Sequence, residues 1–164
     1  MKIIIFGGNG FIGKHLSKYL KQKKNFVKVF GNKKFSKSGV NLIDYNKKNF
    51  KNIIKKISPN VVIFLSGNSY PNNTLNDEMY DFKTNNNILQ QLLAALVENK
   101  FKKLFIYTSS IAVYGSVKKN QFVNENFKLN PKSFYALSKI IAEKQIEYFT
   151  KNYNFKSIVL RLSS

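Results

Sequence analysis

At 164 residues the chain is long enough for one domain with a buried core, and its 43% apolar and 15% aromatic content is not that of a disordered tail. With no cysteine and a single histidine, His15, it can form neither disulfides nor a thiolate or His-rich metal site, and no apolar run approaches the ~20 residues of a membrane span. The 28 basic residues against 8 acidic ones give a net charge of +20, which would suit a polyanionic partner, yet every basic residue except Arg161 is a scattered lysine.

The first predicted strand, Lys2 to Phe6, is a continuous β-branched run and therefore reads as buried on both faces. It begins so near the N-terminus that no secretory leader fits, and a cytoplasmic location is expected. A helix follows over residues 12–24, with Ile12, Leu16, Tyr19 and Leu20 on one face. Strands are predicted at 26–30 and 41–43, then a short basic helix at 49–57 closed by Pro59 and a third clear strand at 61–65. Helices at 84–99 and 135–151 flank a strand at 104–108, and a last strand spans 157–162. Strands alternating with helices, each apolar on both faces, indicate an α/β, doubly wound parallel sheet of Rossmann type. The whole chain, 1–164, reads as one dinucleotide-binding domain. The stretches 67–76 and 115–131 are its two long loops, where such folds build their sites.

Directly after the first strand stands Gly7-Gly8-Asn9-Gly10-Phe11-Ile12-Gly13, and then a helix. Glycines here allow a tight turn, close backbone approach to a pyrophosphate, and packing of helix on strand. The helix N-terminus offers unpaired N–H groups and a positive dipole end to the anion. Further along, Tyr135-Ala136-Leu137-Ser138-Lys139 sets a phenol and an ammonium one helical turn apart, and a nearby cation favours the tyrosinate. Ser110 lies at the carboxyl end of the 104–108 strand, where doubly wound sheets bind ligands.

The Gly-x-x-Gly-x-x-Gly spacing, Ser109-Ser110, Glu125, Asn130-Pro131 and the Tyr-x-x-Ser-Lys run together resemble the extended short-chain dehydrogenase/reductase family, the NAD-dependent epimerase/dehydratase type. The resemblance implies that Ser110 hydrogen-bonds the reacting oxygen, Tyr135 is the general acid/base, and Lys139 binds the nicotinamide ribose and tunes Tyr135. It further implies that Asp44 contacts adenine, that Leu65, Ser66 and Gly67 line the cofactor, and that Asn85 supports the site. Arg161 matches an arginine on the strand leading into the substrate domain. The implied activity is that of a nucleotide-sugar epimerase or keto-reductase, and the implied partner a nucleotide sugar. The helices at 85–98 and 135–150 would offer a homodimer face.

Three departures shape the expectation. Gly31 stands where NAD-preferring members carry an acidic residue, and Asn32, Lys33 and Lys34 would suit a 2′-phosphate, so the cofactor reading favours NADP over NAD. Sugar 4,6-dehydratases of the family carry acidic residues just after the catalytic serine or threonine; Ile111 and Ala112 cannot exchange a proton, which disfavours that chemistry. The sequence stops after the sixth strand, where extended members continue into a substrate domain, and that domain is expected to be missing. A non-catalytic dinucleotide-binding remnant is therefore the alternative reading. A basic nucleic-acid-binding module rests on charge alone, and lysine-rich drift accounts for the charge better than an arginine-poor nucleic-acid site.

Overall fold

The computed structural model describes residues 1–32, 40–67, 78–118 and 120–163. Its elements in chain order are β1 (Lys2–Phe6), α1 (Phe11–Gln22), β2 (Phe26–Asn32), β3 (Asn41–Ile43), α2 (Lys47–Ile57), β4 (Val61–Phe64), α3 (Glu78–Asp81), a π-helical segment (Phe82–Asn87), α4 (Ile88–Glu98), β5 (Leu104–Ser110), a 3-10 turn (Ile111–Tyr114), α5 (Phe134–Tyr153) and β6 (Lys156–Leu162). The six strands form one all-parallel sheet in the order β3-β2-β1-β4-β5-β6. The order reverses between β1 and β4, and a crevice opens there at the carboxyl ends of the strands.

The continuous Ile3–Phe6 run makes β1 the central strand, with Ile4, Ile5 and Phe6 fully buried between β2 and β4. On one face, Phe6, Val62, Phe64, Phe105 and Tyr107 pack against Phe50 and Ile54 of α2, Leu89, Leu92, Leu93 and Leu96 of α4, and Ala142 and Ile146 of α5. On the other face Ile3, Ile5 and Ile63 meet Leu16 and Leu20 of α1. There the contact stripe is Gly13, Leu16 and Leu20; the predicted members Ile12 and Tyr19 are exposed, because they flank this stripe on the helix surface. The helix predicted at 84–99 begins earlier and is interrupted. Thr84 Oγ1 donates to the carbonyls of Tyr80 and Asp81, and the extra residue of the π-turn lets both Asn85 and Asn86 face α5.

β5 runs two residues further than expected, to Ser110, so that Ser109 pairs with Arg161 and Ser110 with Leu162 of β6. β6 carries Ile158 and Leu160 on one face, and both are exposed. Among the described residues no helix is long and apolar enough to cross a membrane, and no group of three or more acidic, histidine or cysteine side chains could hold a metal ion.

Candidate dinucleotide and catalytic site

The glycine loop leaves β1 through Gly7, whose φ of +89° belongs to the left-handed region. A Cβ there would lie 2.6 Å from the Ser66 amide nitrogen, so the β1 turn and the β4 turn can approach only because residue 7 has no side chain. The first intrahelical bond of α1 runs from Lys14 N–H to the Gly10 carbonyl, leaving the amides of Phe11, Ile12 and Gly13 without intrahelical acceptors at its N-terminus. At Gly10 a Cβ would meet only the Gly7 carbonyl, at 3.4 Å, and would otherwise fill the concavity over those amides. Open backbone, free donors and a dipole end make a cradle that fits a diphosphate. Phe11 is 80% exposed and Ile12 44%, standing beside the cradle as apolar walls.

Beneath the loop lies a residue that sequence reasoning missed. Tyr45, buried against Phe6 and Phe50, accepts a hydrogen bond from Gly7 N–H at 2.8 Å and donates to the Phe30 carbonyl at 3.1 Å. Burial pushes its phenol up to about 12, against the pull of its hydrogen bonds to Gly7 and Ser66. Nothing in the local pattern distinguishes Tyr45 from the other eight tyrosines; its role comes from contacts 38 and 15 residues away.

Other sequence-predicted positions fall around the crevice. Gly31 is buried at the end of β2, where a side chain would press on the Asn9 carboxamide and on Val40. Asn32 closes the strand, half-buried, while Lys33 and Lys34 lie outside the described residues. Asp44 follows β3 and is exposed, with its carbonyl accepting from the Asn49 side chain. Leu65 and Ser66 are half-buried after β4. Gly67 sits against Asn85 and Lys139, and a Cβ there would be 3.6 Å from Lys139 Nζ. Asn85 is fully buried and donates to Ser138 Oγ at 3.0 Å, while Ser138 donates in turn to the Tyr135 carbonyl at 2.7 Å.

Ser110, Tyr135 and Lys139 do converge. α5 is capped by Ser133, whose Oγ accepts from Ala136 N–H, and this starts the helix one residue before Tyr135. Ser110 caps the 3-10 turn by accepting from Ala112 N–H at 3.1 Å, and its hydroxyl stands near enough to Tyr135 to favour the phenolate. Lys139 is 5% exposed; its Nζ donates to Tyr107 Oη at 3.2 Å and to the Thr108 carbonyl at 3.1 Å, and lies 5.7 Å from the Tyr135 ring centre. Here the structure amends an expectation: the Tyr135 phenol is held above its ordinary value, not below it. Burial dominates, the nearby Ser110 hydroxyl opposes it, and the charge of Asp81 adds to the rise. Burial likewise brings Lys139 down to about 8, although Asp81 and Glu143 favour its charged form. Asp81 is fully buried on α3, a second participant that no motif announced.

Beside this trio runs a polar chain that joins Ser109, Glu125 and Arg161, each named in the sequence, through Glu143, which sequence reasoning missed. Glu143, one turn beyond Lys139 on α5, receives Ser109 Oγ at 2.5 Å and both Nε and Nη2 of Arg161, at 3.1 and 2.7 Å. Arg161 Nη1 donates to Tyr114 Oη and to the Glu125 carbonyl. Glu143, Arg161, Tyr114 and Glu125 line a cleft of about 810 Å³ together with Ile111 and Leu162.

Residues 3–164 match the profile of the NAD dependent epimerase/dehydratase family. A dTDP-D-glucose 4,6-dehydratase of Dictyostelium discoideum is 31% identical over 99% of this chain and 43% of its own length. A putative UDP-glucose 4-epimerase of Methanocaldococcus jannaschii is 28% identical over 99% of this chain and 55% of its own length. The chain thus spans about half the length of the curated relatives it matches. In shape it follows the crystal structure of a Thermus thermophilus UDP-glucose 4-epimerase in complex with NAD, with a TM-score of 0.87 at 24% identity, over 98% of this chain and 54% of that one. The family match across nearly every residue, on a six-stranded parallel sheet with its glycine loop at the reversal point, makes this chain a member of the NAD dependent epimerase/dehydratase family.

Proposed function

We propose that the chain is the cofactor-binding and catalytic part of an NAD(P)-dependent nucleotide-sugar epimerase or keto-reductase. The observation that carries this reading is the convergence of Ser110, Tyr135 and Lys139 at the carboxyl end of β5, with the glycine cradle across the same crevice. The amides of Phe11, Ile12 and Gly13 would hold the diphosphate, with Gly7, Gly10 and Asn9 shaping the approach. Asp44 would meet the adenine end; Leu65, Ser66, Gly67 and Asn85 would line the middle. Lys139 would hold the nicotinamide ribose. When bound, the nicotinamide supplies hydride acceptance and return, which no side chain of this protein can. Ser110 orients the sugar oxygen, and Tyr135 takes up or returns that oxygen's proton at its own Oη. A protonated Lys139 favours the tyrosinate once the ribose draws its ammonium toward the crevice.

The 4,6-dehydratase name of one relative does not alter this choice of chemistry, because Ile111 and Ala112 offer no acid to eliminate water. With no carboxylate at Gly31 to select a free ribose hydroxyl, the reading keeps NADP ahead of NAD. Pairing of two copies across α4 and α5 belongs to the same reading; most apolar residues of those helices are taken up in the chain's own core, and Leu137 and Tyr148 remain exposed for it.

The test is a titration of the purified chain with NADPH and NADH by nicotinamide fluorescence, followed by incubation with UDP-glucose and cofactor. Saturable binding, tighter for NADPH, with conversion lost on Tyr135→Phe, is the expected result. Binding without conversion would leave a dinucleotide-binding remnant. A folded chain that binds neither cofactor would overturn the reading altogether.

A further inference from the structure

The polar chain beside the catalytic trio gives a role to two residues outside that trio. Glu143 and Arg161 come from different elements, α5 and β6, and are brought face to face by the β5–β6 register that sets Arg161 beside Ser109. Their side chains are only 11% and 20% exposed, and the contact is a two-point fork, the geometry in which an ion pair has a fixed orientation. From this fork single bonds reach each segment that builds the nicotinamide end of the crevice. Ser109, next to Ser110, donates to Glu143 Oε1. Tyr114, at the end of the 3-10 turn that Ser110 caps, accepts from Arg161, which also lies 5.1 Å over its ring centre. The Glu125 carbonyl ties in the 115–131 stretch. Glu143 itself stands one turn from Lys139 on the same face of α5.

We propose that Glu143 and Arg161 are positioning residues: they lock the Ser110 turn and the Tyr135–Lys139 turn of α5 into one relative placement, and so set the affinity of the nicotinamide half of the cofactor without touching it. Four of the five N–H donors of Arg161 are engaged within the protein. This proposal rests on the dinucleotide reading above.

Two probes separate the halves of the crevice. ADP reports on the glycine cradle alone, whereas NADH or NADPH also requires the Ser110–Tyr135–Lys139 end. In Glu143→Gln, which keeps the shape and removes the charge, the Kd for the tighter nicotinamide cofactor should rise about tenfold while the Kd for ADP stays within twofold, ~1.4 kcal/mol confined to one half. Ser109→Ala, which removes one bond and leaves the fork intact, should show the same pattern at two- to fivefold, and keeps the test available should Glu143→Gln fold poorly. Equal losses for both probes, or no loss for either, would overturn the positioning role. A wild-type chain that binds neither ADP nor nicotinamide cofactor would instead bring down the dinucleotide reading on which it stands.

Discussion

Lys139 shows how burial and chemistry pull against one another on a single side chain. Its ammonium is 5% exposed and titrates at about 8, well below its ordinary 10.5. Because the native pKa lies below the unfolded one, the native state gives up its proton first as pH rises, and stability increases between about pH 8 and 10.5. Below that window the buried charge costs stability. Lys139→Met, which retains the stem, should therefore be more stable than wild type at pH 7, by on the order of 1–2 kcal/mol once the lost hydrogen bonds to Tyr107 and Thr108 are set against the relief. The advantage should shrink by pH 9.5; urea midpoints that shift equally at both pH values would contradict it. At this scale the sequence disclosed residues whose neighbours in the chain share their task, such as Gly7 to Gly13 and the Tyr135–Lys139 turn. Tyr45, Asp81 and Glu143 were hidden, as was the partner of Arg161, because the residues they meet lie in other elements. One signal was available: Glu143 falls four residues after Lys139, on the face already known to point inward.

Among the elements, strands were legible wherever β-branched residues ran together, as in β1 and β4, and their limits blurred where polar residues carried the ladder on, as at Ser109 and Ser110. The π-turn at Phe82–Asn87 left no trace in the hydrophobic pattern, since the change from i−4 to i−5 bonding displaces one residue without altering which ones are apolar. Helix ends followed local rules more closely. Asn46 caps α2 by accepting from Asn49 N–H, and the helix closes at Ser58 in left-handed backbone, φ 48° and ψ 66°, just before Pro59. A serine pays a steric penalty there that glycine does not. Ser58→Gly should stabilise the protein by about 0.5–1 kcal/mol, or roughly 1–4 °C in Tm. An unchanged or lower Tm would show that the cap is held by something other than its backbone angles.

For the molecule as a whole, the excess of 20 positive charges acts on folding and on ligands in opposite senses. Lysines repelling one another destabilise the compact state, so raising salt from about 20 to 200 mM, which shortens the screening length from ~20 to ~7 Å, should raise Tm. The same salt should weaken binding of an anionic dinucleotide or nucleotide sugar, because the field that draws it in is screened as well. A thermal scan and a cofactor titration over one salt series check both directions, and a Tm that falls with salt would mean that ion pairs such as Lys51–Glu98 outweigh the repulsion.

The strand order also bears on how the protein is made. β1 leaves the ribosome before the other five strands of the sheet, but one of its two edges is completed by β4, whose residues 61–64 emerge more than fifty residues later. At about 5–20 residues per second that interval lasts several seconds. Throughout it, Ile3 to Phe6 can pair with β2 on one side and must keep an apolar, hydrogen-bonding edge unsealed on the other. A strand from the middle of the finished sheet is thus left adhesive while the chain is being made, and a chaperone that shields short apolar stretches would find a target in Ile3 to Phe6.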